Sequence, residues 1–260
     1  MIISESAVVI EERNNKVVYL DSDRIIKVFN DMKPASDVFN EALNTARVAE
    51  VGIRVSEPLE VSRIEGGPYE GSWALANHYV PGKTFYQIFD EAEEDGTFDE
   101  WFDRFIDLQL EVQSYRAPLL NRQKDKLNRM ISNTKGIIDA TTRYDLHIRV
   151  EGMLEDERVC HGDFVPSNVI LGDDGELYLC DWAHVTAGSP EVDAAMTYLL
   201  FSLKHPQSAE RYLRRYCDRA DVARQAVMRW LPVIAAAELS RGRKRDEEFL
   251  KGWVNVWDGE

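Results

Sequence analysis

The stretch from Val159 to Val185, VCHGDFVPSNVILGDDGELYLCDWAHV, constrains the fold of this chain more than any other. Two short apolar runs, SNVIL and ELYLC, flank GDDG, and Asp174-Gly175 is a strong signal for a tight hairpin turn. Folding the hairpin back brings Asn168, at the entry of its first strand, toward Asp181, at the exit of its second. An amide oxygen and a carboxylate then converge on one point, and Asp163, on the preceding loop, can face it from the other side. Hard oxygen donors gathered in this way suit a magnesium ion that keeps some of its waters and is shared with substrate phosphates.

Length and composition bound what can surround such a hairpin. At 260 residues and 44% hydrophobic, the chain is long enough for a large core and sits between one domain and two on size alone. No run approaches the roughly 18 consecutive apolar residues of a membrane span, and MIISESAVVIEERNN lacks a charged start followed by a long apolar stretch. The expectation is a cytoplasmic protein without a membrane partner. Cys160, Cys180 and Cys217 fit neither a disulfide framework nor a zinc knuckle, so they read as buried reduced thiols. The net charge is -15, concentrated in residues 81–200 with 24 acidic and 11 basic side chains. That balance disfavours nucleic acid, whose phosphates need basic patches, and mildly favours a cationic substrate.

Along the chain, SAVVIEE, KVVYLD and RIIKVFN are short, β-branched and separated by polar turns, the pattern of an antiparallel meander. SDVFNEALNTARVAEVG predicts a helix with Ser36 as N-cap, Phe39, Ala42, Leu43, Ala46 and Ala49 on its core face, and Gly52 as its stop. VSEPLEVSRIEG and GSWALANHYV predict two more strands. Pro81-Gly82 marks the boundary, with residues 1–80 forming a small β-rich lobe and residues 81–260 a larger one. Beyond it EWFDRFIDLQLEVQSYR, KDKLNRMISNTKGIID and three tail segments are amphipathic, with Pro232 expected to kink one helix. Trp230, Trp253 and Trp257 sit among apolar residues and are expected in the core.

His161, Gly162, Asp163 and Asn168, followed by Asp181 and Trp182, resemble the H-R-D-x-x-x-x-N and D-F-G elements of kinases, written here as H-G-D-x-x-x-x-N and D-W. This variant is similar to the aminoglycoside phosphotransferase and choline kinase group of small-molecule kinases. AGSPEVDAAMTYLLF also matches that group's G-x-P-x-x-D-x-A pattern through Gly188, Pro190, Asp193 and Ala195. The resemblance implies an α+β, protein-kinase-like fold of two lobes. It also implies a lysine on the third strand and a glutamate on the next helix, and the chain offers Lys27 and Glu41 there. In such a site Lys27 reaches the α- and β-phosphates of ATP or GTP, and Glu41 fixes Lys27. The backbone of His78 and Val80 bonds the base, Asn168 and Asp181 hold Mg2+, and Asp163 orients the acceptor hydroxyl.

One departure stands out, because EERNNKVV between the first two strands holds no glycine where protein kinases carry G-x-G-x-x-G. Asn14 and Asn15 are expected to shape a comparable cradle through left-handed backbone. His161 is expected to bond nearby backbone, Asp193 to brace the catalytic loop from a helix start, and the acidic run DEAEEDGTFDEWFDRFID to be a solvated helix start. RGRKRDEE, from Arg241, is expected to be a surface loop.

The expected activity is phosphoryl transfer from ATP or GTP to a hydroxyl of a small molecule, with cationic amines such as aminoglycosides or amino alcohols among the acceptors. The alternatives are a non-catalytic nucleotide-binding relative and a protein kinase. Against the latter, only eleven residues separate Asp181 from Asp193.

Overall fold

The structure, a computed structural model, describes residues 1–154 and 156–254, so the expectation for Trp257 lies outside the described residues. In chain order the first elements are β1 (Val8–Arg13), β2 (Lys16–Asp21), β3 (Arg24–Phe29), α1 (Ala35–Glu50), β4 (Pro58–Arg63), β5 (Trp73–His78) and β6 (Gly82–Thr84). Then follow α2 (Phe85–Asp95), α3 (Phe98–Ser114), α4 (Gln123–Ser132), α5 (Ala140–Glu151), β7 (Arg158–Cys160), β8 (Val169–Gly172), β9 (Leu177–Leu179) and β10 (Thr186–Gly188). The tail is α6 (Pro190–Lys204), α7 (Pro206–Ala220), α8 (Arg224–Met228), α9 (Leu231–Leu239) and α10 (Glu247–Val254). No helix among the described residues is long and apolar enough to cross a membrane.

The chain forms two compact units, and they are not a single cut after residue 80. The first takes in Met1–Ile88 and then Ser167–His184; the second takes in Phe89–Pro166 and the chain from Val185 on. The hairpin that carries Asn168 and Asp181 is therefore built into the same unit as the N-terminal sheet.

In the first unit five strands form an antiparallel sheet in the order β1-β2-β3-β5-β4. Its central strand β3 is rich in β-branched residues and buried, with Ile26 and Val28 packed on Met1, Ile64, Ala74 and Ala76. On another cluster Phe29, Leu75 and Val38 join the sheet to α1. The face of α1 differs from the one its hydrophobic spacing predicts. Val38, Glu41, Asn44, Thr45 and Val48 are buried, whereas Phe39 and Leu43 are about half exposed. The physical reason is that Glu41 and Asn44 have polar partners inside, so the buried stripe is selected by pairing as well as by hydropathy. The helix also begins one residue before Ser36, after Pro34, with no side-chain cap. A second sheet, β6-β8-β9, completes the unit.

The second unit is mainly helical around an aromatic core in which Phe102, Phe105, Phe164, Phe201 and Tyr212 meet ring to ring. β7 and β10 pair antiparallel within it. Pro232 sits in the first turn of α9, so the predicted kinked helix is two helices, with proline at the position where its missing N–H costs nothing. Trp230 is buried, and Trp253 is partly buried against Tyr198 and Phe249. The acidic run divides: Glu93, Glu94 and Asp95 are exposed, while Asp99, Asp103 and Asp107 on α3 meet Arg211, Arg215 and Arg219 on α7. Residues four apart on each helix share a face, which is why the two ladders register.

Candidate active site

The first unit carries an open cavity of about 610 Å³ whose lining includes Lys16, Lys27, Val80, Asn168, Cys180 and Asp181. Lys27 leaves β3, and its Nζ donates to Glu41 Oε1 at 2.6 Å, in a pair that is almost completely buried. Lys33 Nζ donates to the other carboxylate oxygen of Glu41 at 2.8 Å. Burial opposes the charge on Glu41, yet Lys27 and Lys33 outweigh it and keep its carboxyl below the ordinary range. Burial likewise works against the Lys27 ammonium, and Asp181 and Glu41 outweigh it, raising its pKa above that of a free lysine. Lys27 is thus a fixed cation, held by α1 and aimed at the hairpin.

The hairpin behaves as its sequence requires. β8 and β9 pair through Val169↔Leu179 to Leu171↔Leu177, and Gly175 takes the left-handed conformation in the turn. Asn168 accepts from the amide of Cys180 through its carbonyl at 2.8 Å, so the amide side chain and Asp181 flank one hydrogen-bonded step. Asp181 itself has φ 62°, a left-handed conformation that few non-glycine residues adopt. Its neighbour Trp182 is buried, donates from Nε1 to Leu179 O at 2.9 Å, and accepts from Asn44 Nδ2 of α1 at 3.4 Å. Those anchors hold the carboxylate where Lys27 Nζ lies 3.7 Å from Oδ1 and Lys16 Nζ lies 3.3 Å from Oδ2.

At the expected base-binding segment Val80 lines the cavity and His78 does not. The His78 amide donates to Glu57 O at 2.8 Å and its carbonyl accepts from Ser56 Oγ at 2.5 Å. Cys180, expected as a buried thiol, is only half-buried; burial nonetheless raises its thiol pKa to about 11, so it stays protonated. Asn14 and Asn15 do not take left-handed backbone, so the expected cradle is not formed by them. Sequence reasoning missed Lys16 and Lys33. Lysines beside turns are ordinary surface residues, and the only hint was that Lys16 directly follows the glycine-free loop.

Asp163 belongs to the second unit, on the loop after β7, and is half-buried. Its backbone amide donates to His161 Nδ1 at 3.2 Å, and His161 is fully buried. The adjacent Gly162 amide donates to Asp193 Oδ1 at 2.7 Å, and Gln113 and Gln109 hold Asp193 Oδ2 at 2.9 and 3.3 Å. Asp193 lies in the first turn of α6, whose macrodipole favours its charge. The loop of Asp163 is thereby fixed by a buried carboxylate whose acceptor sites are filled from two elements.

A lysine on the sheet held by a glutamate on the following helix, with a carboxylate and an amide at the ends of a returning hairpin, sits in a protein-kinase-like fold. The chain belongs to the phosphotransferase enzyme family (APH), whose model matches residues 7–231. Solved structures similar to it include the aminoglycoside phosphotransferase APH(4)-Ia in a ternary complex with AMP-PNP and hygromycin B, at 13% identity and a TM-score of 0.68, covering 96% of this chain and 91% of that one. The choline kinase LicA from Streptococcus pneumoniae is similar at 17% identity and a TM-score of 0.58, covering 98% and 88%. The GDP and kanamycin complex of APH(2")-IIia is similar at 15% identity and a TM-score of 0.59, covering 98% and 95%. A search of curated protein sequences finds no match.

Proposed function

We propose that the protein transfers the γ-phosphate of ATP or GTP to a hydroxyl of a small molecule. The observation that carries this reading is the buried Lys27–Glu41 pair directed at Asp181 on the wall of one cavity. Similar solved structures add support, since one is a ternary complex with AMP-PNP and hygromycin B and another a complex with GDP and kanamycin.

In this reading Lys27 binds phosphate oxygens as a charge that Glu41 prevents from wandering. Asp163, held by His161 and next to the Gly162–Asp193 brace, accepts a hydrogen bond from the acceptor hydroxyl and aligns its oxygen for in-line attack on the γ-phosphorus. The bond from that phosphorus to the β,γ-bridging oxygen breaks, the nucleoside diphosphate leaves, and the hydroxyl proton departs by way of Asp163. Val80 offers backbone groups to the base, and the His78 carbonyl keeps a second lone pair beside its bond from Ser56. One carboxylate and one amide oxygen fit magnesium only as a shared ligand set, so Asn168 and Asp181 would hold it against the phosphates, where it supplies charge neutralisation.

A peptide acceptor is disfavoured, because Asp181 and Asp193 are separated only by a short turn, β10 and the first residues of α6. The test is nucleoside diphosphate release with magnesium and ATP or GTP across aminoglycosides, amino alcohols and sugars. An acceptor that stimulates release is expected, and Asp163→Asn should lower kcat by roughly 10²- to 10⁴-fold with the nucleotide KM within about threefold. Undiminished transfer by Asp163→Asn would remove Asp163 from the mechanism. Nucleotide binding without transfer to any acceptor would favour the non-catalytic alternative.

A further inference from the structure

The segment that covers phosphates in a glycine-rich kinase loop is here a minimal hairpin. β1 and β2 close through Arg13↔Lys16, leaving only Asn14 and Asn15 in the turn. The turn is also tied down from outside: Asn15 O accepts from the Asn30 amide at 3.2 Å, and Asn14 O accepts from Asn30 Nδ2 at 2.7 Å. Two residues with conventional backbone, pinned through their carbonyls to the chain after β3, cannot wrap a row of amides around a triphosphate.

What the hairpin supplies is a side chain. Lys16 opens β2, and Val18, two residues on, lies directly opposite Lys27 of β3. Side chains two apart on a strand share a face, so Lys16 and Lys27 project from the same side of the sheet as diagonal neighbours. Both line the cavity, both are about nine-tenths buried, and both approach Asp181, Lys16 at Oδ2 and Lys27 at Oδ1. The charges do not balance. Among the described residues Lys16, Lys27 and Lys33 pair with Glu41 and Asp181, three cations to two anions, and Lys16, Lys27 and Asp181 line the cavity beside the Arg13–Glu11 pair, in a chain of net charge -15. A buried surplus cation is costly unless an anion completes it.

We propose that Lys16 is a phosphate-binding residue of the nucleotide site, replacing with one ammonium the contacts that a glycine-rich loop makes with backbone amides. It rests on the reading of the cavity as the nucleotide site. Lys16 lies beside Asp181 on the cavity wall, and in this role its ammonium binds phosphate oxygens next to that carboxylate. A residue serving only as a counter-ion to Asp181 acts through that carboxylate, so its effect on triphosphate binding disappears in an Asp181→Asn background, whereas the effect of a phosphate ligand persists there.

The experiment titrates wild-type protein, Lys16→Met, Lys16→Arg and Lys27→Met with adenosine, ADP and AMP-PNP, and with guanosine, GDP and GMP-PNP, in magnesium, by calorimetry. Unfolding midpoints confirm that each variant is folded. Lys16→Met is expected to weaken the triphosphate analogue roughly ten- to a hundredfold, the range of a charged hydrogen bond, and the nucleoside less than about twofold, with Lys16→Arg recovering most of the loss. Triphosphate binding by Lys16→Met equal to wild type, while Lys27→Met loses it, overturns the proposal and leaves the nucleotide site standing. Equal loss of nucleoside and triphosphate in Lys16→Met overturns it in favour of a structural role, and a triphosphate loss that disappears when Lys16→Met is made in an Asp181→Asn background overturns it in favour of a counter-ion role. Failure of the wild type to bind any nucleotide overturns both.

Discussion

Lys126 on α4 is a partly buried lysine whose ionisation is strongly disturbed by its neighbours in the second unit. Burial and then Arg241 lower its pKa to about 7, against Glu238, Asp163 and Asp193, which favour its charge. Glu238 comes from α9 and is itself held by Arg241 at 2.7 Å, so Lys126 faces cations as well as carboxylates. Below about pH 7 the lysine is protonated in both the folded and the unfolded chain and the full cost of its burial is present. Between about 7 and its ordinary value near 10.5 the unfolded chain binds the extra proton, so stability rises with pH. Partial exposure of the side chain screens this. The wild type should gain on the order of 1 kcal/mol relative to Lys126→Met between about pH 6.5 and 8.5, read from urea midpoints; a constant difference would mean an ordinary lysine. At this scale Asp163, Asn168 and Asp181 were legible because they lie within nineteen residues whose spacing is itself the signal. Lys16, Lys33 and Lys126 were not, since a lysine acquires meaning only from what the fold brings beside it.

Elements were legible where one physical rule governed them. The five strands of the first sheet, the turn at Asp174-Gly175 and the proline at the start of α6 follow from β-branching, turn chemistry and the N-terminal tolerance of proline. The buried face of α1 was not, because Glu41 and Asn44 replace apolar residues on it, and hydropathy cannot anticipate a buried ion pair. Gly82 shows a different kind of requirement. It opens β6 opposite Gly172 with φ 153°, and a Cβ there would overlap the carbonyl of Leu171 and lie 2.9 Å from the Gly172 Cα. Next to it Pro81 O accepts from the Asp173 amide at 2.9 Å, so this close approach ties the segment after β5 to the hairpin carrying Asn168 and Asp181. Gly82→Ala should cost at least about 2 kcal/mol by forcing the two backbones apart, measured by urea unfolding. Its nucleotide affinity should fall with it, while Gly175→Asn, at an open turn that tolerates left-handed asparagine, should leave both within about 0.5 kcal/mol.

Across the whole molecule the division of the chain was the least legible property, because Ser167–His184 returns to the first unit after nearly eighty residues spent in the second. Pro81-Gly82 carries the strongest breaking signal, yet a composition shift marks only where a pattern changes and not which unit a later hairpin will join. Charge was legible in amount but not in use. Of the acidic run, Asp99, Asp103 and Asp107 answer arginines of α7 and are no longer available to draw a ligand, leaving the exposed Glu93, Glu94 and Asp95 with the general surplus. A field of that kind acts at long range and is screened within about 8 Å at physiological salt, so it speeds the encounter of a cation without adding a contact. If the acceptor is a cationic amine, its KM should rise severalfold between about 20 and 300 mM salt while kcat stays constant, and a neutral sugar should show no such rise. Initial rates at fixed saturating nucleotide make the comparison. A flat KM for every amine acceptor would assign the surplus charge to solubility alone, and selection of the acceptor would then rest on direct contacts and not on the long-range field.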